Sequence, residues 1–167
     1  MTTPFARTIP RPASLAEMQR IKKWHKIGTP MIEDEMNLAF SILVVEDDIL
    51  IRDYVSDLLK SAGHDVTSAA SGTEAVEVLN SPLNPDLLFT DIYMGVGMDG
   101  IELARNARLI LPDIKILFSS GYIGANERDH FPQGAEILPK PYRRKDCLEK
   151  VMAMLEGVAN KPVQPLP

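Results

Sequence analysis

From Ser41 onward the chain alternates between short apolar runs of strand length and segments with helical spacing or helix caps. Ser41–Glu46 is apolar almost throughout (Ile42-Leu43-Val44-Val45), as a strand covered on both faces requires. In residues 49–62, Ile51, Tyr54, Val55, Leu58, Leu59 and Ala62 recur at helical spacing, predicting one buried stripe ended by Gly63. His64–Ala69 reads as a weaker second strand, and Ser71 with Glu74 caps a helix that runs to Leu79. Pro82 and Pro85 break the chain before a third strand, Asp86–Thr90. A Gly-rich loop from Gly95 to Gly100 follows, and Asp99 with Glu102 opens a helix to Ile110. Ile114–Ser119 is the fourth strand, 124–131 a polar helix, and Ala135–Leu138 the fifth strand. Residues 143–156 make the last helix, with Leu148, Val151, Met152 and Leu155 on one face. Five strand–helix units in a row predict an α/β fold: a doubly wound, five-stranded parallel sheet with helices on both faces.

The flanks differ in character. Residues 1–30 hold six Lys/Arg against Glu17; with a whole-chain charge of −5, the remainder carries −10. An acidic body disfavours a broad nucleic-acid surface. Residues 1–12, with Pro4, Pro10 and Pro12, are expected to be disordered, 14–27 to form a short basic helix, and 28–40 a linker. The segment 1–40 is thus an extension, 41–156 a domain, and 157–167 a disordered, Pro-rich tail. Apolar runs are too short to cross a bilayer and the N-terminus lacks the apolar run of a secretory signal, so no membrane insertion is expected. The single cysteine, Cys147, forms no intrachain disulfide and fits a cytoplasmic protein; in the last helix it reads as a small buried residue.

In an open α/β sheet, ligands bind beyond the carboxyl ends of the strands. Glu46, Asp47 and Asp48 follow the first strand, Asp91 the third, Ser119-Ser120 the fourth and Lys140 the fifth. Taken singly, each has a plainer reading: an acid that caps a helix, a serine that ends a strand, a surface lysine. Taken together they suit one task. Crowded carboxylates stay ionised only beside a cation, and hard oxygen ligands suit Mg²⁺. Asp91 is then the candidate nucleophile for a phosphoryl group, with the hydroxyl and the ammonium binding its oxygens. Other motifs fall away. His25, His64 and His130 have no ligand spacing, Gly95-Val96-Gly97 is not a dinucleotide fingerprint, and Arg143-Arg144-Lys145 reads as the solvated opening of the last helix.

Four segments together resemble the receiver domain of two-component response regulators: Ile42–Asp48, Asp86–Met94, Ile116–Tyr122 and Leu138–Tyr142. The resemblance spans Ser41 to Glu156 and implies a flavodoxin-like sheet. It also implies that Glu46, Asp47 and Asp91 bind Mg²⁺ with the backbone carbonyl of Tyr93, and that Asp91 is phosphorylated. Ser120, rather than Ser119, matches the hydroxyl that moves toward the phosphoryl group; the Gly121 amide and Lys140 bind its oxygens. Asp48 is the helix starter, and Lys140–Pro141 is expected to be cis.

Two positions depart from the family pattern. Gly95 stands where proline is usual, and Ile137 stands where the switch aromatic is usual, leaving Tyr122 as a candidate substitute. Tyr93 and Tyr122 flank the site and are expected to shield an acyl phosphate from water.

The function implied is that of a phosphoacceptor in a phosphorelay, not an enzyme on other substrates. It takes the group from a histidine kinase or phosphotransfer protein. The length leaves no room for an output domain, so signalling is expected through contacts with a downstream protein, on the face of 124–131, the fifth strand and the last helix. The alternatives are a pseudo-receiver scaffold that is never phosphorylated, and an aspartate-nucleophile phosphatase. Tyr93 stands against the phosphatase, because such enzymes usually carry a second Asp there.

Overall fold

A computed structural model describes residues 39–121 and 127–159. The predicted disordered start, the basic helix, most of the linker, Tyr122 and the tail after 159 lie outside the described residues. Five parallel strands form one sheet: β1 (Ser41–Val45), β2 (Asp65–Ala69), β3 (Leu87–Asp91), β4 (Lys115–Ser120) and β5 (Glu136–Pro139), in the order β2-β1-β3-β4-β5. The helices are α1 (Ile49–Ser61), α2 (Gly72–Leu79), α3 (Gly100–Ile110) and α4 (Arg144–Ala159). The register sets Val45 beside both Ala69 and Thr90, Asp91 beside Ser119, and Ser120 beside Pro139.

Successive strand residues point to opposite faces, so each apolar run feeds two cores. Ile42, Val44, Leu87, Phe89 and Leu117 pack under α1 and α4 with Val55, Leu58, Leu59, Cys147, Val151 and Leu155. Leu43, Val45, Leu88, Ile116 and Phe118 pack under α2 and α3 with Ala75, Leu79, Leu103, Ala104 and Ala107. This is why the strands read as continuous apolar runs and the helices as one-sided stripes. Helix starts follow the predicted caps: Asp48 accepts from Leu50 N and Ile51 N, Ser71 from Glu74 N and Asp99 from Glu102 N. Gly63, at φ +93°, ends α1 in the left-handed conformation that a side chain disfavours.

Four local expectations change. Tyr54 is 52 % exposed, because it lies about a quarter-turn from the centre of the α1 stripe, beyond the cover of the sheet. In α4 the buried face is Cys147, Val151, Met154 and Leu155, while Leu148 and Met152 are only half-buried; the helix also runs to Ala159, past Gly157, which lowers helix propensity without forbidding a helix. The described part of the predicted 124–131 helix is a single 3₁₀ turn, Glu127–His130, which has no apolar stripe to bury. Phe40, expected in the linker, is buried in the α1/α4 core.

Candidate functional site

The chain leaves β1 toward β2 on one side, and β3 toward β4 on the other. A crevice opens between their carboxyl ends, where the connections diverge. Glu46 follows β1 directly and is buried at 4 % exposure. Asp91 ends β3. Lys140 follows β5, and its Nζ lies 2.6 Å from Asp91 Oδ2 and 2.8 Å from Glu46 Oε2. One ammonium thus joins carboxylates 49 and 94 residues away in the chain. The Lys140–Pro141 bond is cis, as the resemblance implied.

The neighbours are arranged around this triad. Asp47 is exposed at the rim; its Oδ1 accepts from Asp48 N at 3.1 Å, and its Oδ2 lies beside Gly95. Asp48 is engaged as the α1 cap, at 2.8 Å from Leu50 N. Tyr93 N donates to Asp91 Oδ1 at 3.1 Å, while the Tyr93 side chain is half exposed. Ser120 is buried at the end of β4, and its carbonyl accepts from Lys140 N at 2.8 Å, which ties the start of the lysine segment to β4. Ser119 instead neighbours Tyr142, whose phenol is pushed up by burial with the Ser119 hydroxyl opposing. Gly121 is exposed next to Lys140: a Cβ there would lie 4.0 Å from the Lys140 Cβ. Ile137, at the position of the family's switch aromatic, is half-buried against the α2/α3 core.

Burial pushes the Glu46 carboxyl up; Lys140 pulls it back, while the charges of Asp91 and Asp47 add to the rise. For Lys140, burial opposes the charge, but the hydrogen bonds to Asp91 and Glu46 outweigh it and the ammonium is held above its usual value. Among the described residues no three acidic, imidazole or thiol groups form a ready-made cation cage. Mg²⁺ does not require one, because it keeps several waters and takes one or two carboxylates. A buried acid, a rim acid and Asp91, neutralised by a single lysine, supply hard oxygens with charge to spare, so the donor set fits.

Two contributors escaped the sequence reading. Gly100 N donates to Ile92 O at 2.9 Å, and a Cβ on Gly100 would fall 1.9 Å from the Asp91 carbonyl oxygen. Only glycine lets α3 start against the end of β3; within a Gly-rich loop, nothing local marks this one. Arg52 donates to the Glu46 carbonyl at 2.7 Å and to the Asp47 carbonyl at 3.3 Å. Its signal was legible: helical side chains lean toward the N-terminus, and Arg52 stands four residues after the cap.

The family model described as the response regulator receiver domain matches residues 42–152. This chain belongs to that family. Over 117 residues it is 40 % identical to the response regulator receiver protein CpdR of Brucella abortus, covering 68 % of this chain and 95 % of that protein. It is 37 % identical over 125 residues to the sensor kinase CckA of the same organism, covering 73 % of this chain but 13 % of the kinase. Among solved structures, a response regulator receiver protein from Sinorhizobium medicae aligns with a TM-score of 0.67 at 30 % identity, over 71 % of this chain and 95 % of the other. Receiver domains are in general non-enzymatic phosphoacceptors of two-component systems that work with histidine kinases and bind Mg²⁺ for phosphorylation. No described helix is long and apolar enough to cross a membrane.

Proposed function

We propose that this receiver accepts a phosphoryl group on Asp91 from a phosphohistidine in a histidine kinase or phosphotransfer protein. The observation that carries the reading is the Lys140 ammonium, 2.6 Å from Asp91 and 2.8 Å from Glu46. A cation held at the candidate nucleophile can exchange a carboxylate contact for a phosphoryl oxygen.

In the reaction a carboxylate oxygen of Asp91 attacks phosphorus. The phosphorus–nitrogen bond breaks, its electron pair stays on the ring nitrogen, and the donor, protonated on its other ring nitrogen, leaves as neutral imidazole. Lys140, the Ser120 hydroxyl and the Gly121 amide receive the phosphoryl oxygens. Glu46, Asp47, Asp91 and the Tyr93 carbonyl would hold Mg²⁺, which when bound offsets charge between the carboxylates and the incoming group. The added charge then shifts the balance at Ser120 and Lys140, and the output passes to a partner protein rather than to nucleic acid. The acidic body supports that choice of partner, and a single cysteine, Cys147, fits a cytoplasmic site of action.

Incubation of the full chain with acetyl phosphate and Mg²⁺, followed by intact mass, tests the reading. One phosphoryl adduct is expected, absent in Asp91→Asn and absent with chelator. An unmodified wild-type chain would favour the scaffold reading.

A further inference from the structure

The first turn of α1 faces an electrostatic problem that the known chemistry does not solve. Glu46, Asp47 and Asp48 are consecutive and Asp91 lies nearby, so four carboxylates crowd one rim with Lys140 as the ammonium between two of them. Asp48 turns away to cap α1. Glu46 still donates its amide to Ala69 O at 3.3 Å, but Asp47 lies in a bend beyond the sheet, so no ladder of backbone bonds holds both of their carbonyls. Arg52 supplies the missing tie. A single nitrogen, Nη1, reaches the Glu46 carbonyl at 2.7 Å and the Asp47 carbonyl at 3.3 Å. Arg52 touches neither carboxylate through these bonds; it holds the backbone from which both project.

We infer that Arg52 is a positioning residue for cation binding, clamping the Glu46 and Asp47 carbonyls so that their carboxylates stay presented to a divalent ion. The inference rests on the proposed function. Its sign separates it from simple electrostatics. A guanidinium beside an acidic site repels a cation, so charge alone makes removal of Arg52 tighten Mg²⁺ binding. If the clamp prevails, removal weakens binding, as loss of an outer-shell partner does. The bonds reach backbone, and the one to Glu46 is short, so order in the bend outweighs a charge that water at this half-exposed position screens.

The test is calorimetric titration of the full, unphosphorylated chain with MgCl₂ alone, on wild type, Arg52→Ala and Arg52→Lys, with a thermal melt of each. The expected result is a Kd about tenfold weaker for Arg52→Ala, with Arg52→Lys in between, because an ammonium keeps the charge and can still reach a carbonyl. A fall in affinity in Arg52→Lys alone supports the inference should the alanine variant not fold. Equal or tighter Mg²⁺ binding in a folded Arg52→Ala, or in Arg52→Lys where the alanine variant does not fold, overturns it while leaving the phosphoacceptor reading intact. A wild-type chain that binds no Mg²⁺ overturns both.

Discussion

The two ends of the sheet bury ionisable groups to opposite effect. At the carboxyl end, Glu46, Asp91 and Lys140 share one triad, with the ammonium between the two carboxylates. At the amino end, His64 stands just before β2 and beside Phe40, with ring centroids 5.9 Å apart. It is 5 % exposed, and among the described residues neither ring nitrogen has a hydrogen-bond partner. Burial pushes Lys140 down too, yet its pKa is raised because two acceptors outweigh desolvation. Burial alone governs His64, with only the charge of Asp65 opposing, and its pKa is lowered. Between these two bases, low exposure alone does not set the direction of the shift; the partners do. One end holds charge for chemistry, and the other sheds it for packing.

The comparison breaks most visibly at Lys140. In Lys140→Met, phosphorylation by acetyl phosphate is expected to slow by about 100-fold or more, the scale of losing one preorganised donor, as read from the time course of intact mass. The same variant should lose an alkaline limb of stability. With the folded pKa raised, the stabilisation from Lys140 is full below its unfolded value of about 10.4 and disappears as pH rises through the folded value. Denaturant melts between about pH 9 and 11.5 that fall in parallel for wild type and variant would show that the triad does not hold the lysine.

Gly100→Ala probes whether the charged end also depends on backbone proximity. A Cβ at 1.9 Å from the Asp91 carbonyl oxygen cannot be relieved by turning a side chain, so the start of α3 must move. A loss of about 1–3 kcal/mol in a denaturant melt is expected, with phosphorylation impaired as well. Unchanged stability would mean that the close approach carries no constraint.

His64→Leu sharpens the other end. With the folded pKa lowered, the contribution of neutral His64 is full above about pH 6.5 and is lost as pH falls from there through the folded value. The leucine variant should be flatter over that window and unaltered in phosphorylation. A steeper acid limb in the variant would refute the assignment. The smallest effect is expected for Tyr93→Ala. The side chain is half exposed at the rim, and its loss should shorten the lifetime of the acyl phosphate by about threefold or less. An unaltered lifetime would remove Tyr93 as a shield.

Much of the site was legible because strand ends are legible. Each of Glu46, Asp91, Ser120 and Lys140 sits where an apolar run stops, and the sheet brings those stops to one rim. Asp48 was separable from Asp47 because a cap precedes a helix by one residue. Tyr54 was misread because the width of a buried stripe depends on how far the sheet extends over the helix. The α4 face was misread in part because Cys147 and Met154 compete with Leu148 and Met152 at neighbouring angles, and only the packed layer chooses between them.

What the residues determine unaided is the order of strands and helices, the two-sided burial of the sheet, and the chemistry offered at each strand end. These follow from periods of two and 3.6 residues, which any short window contains. Only the folded molecule decides that one lysine bridges acids 49 and 94 positions away, that Arg52 grips two carbonyls, that Gly100 must have no side chain, and that the His64 nitrogens find no hydrogen-bond partner among the described residues. Such facts are distances between elements, set by how the layers pack, and no local pattern encodes them.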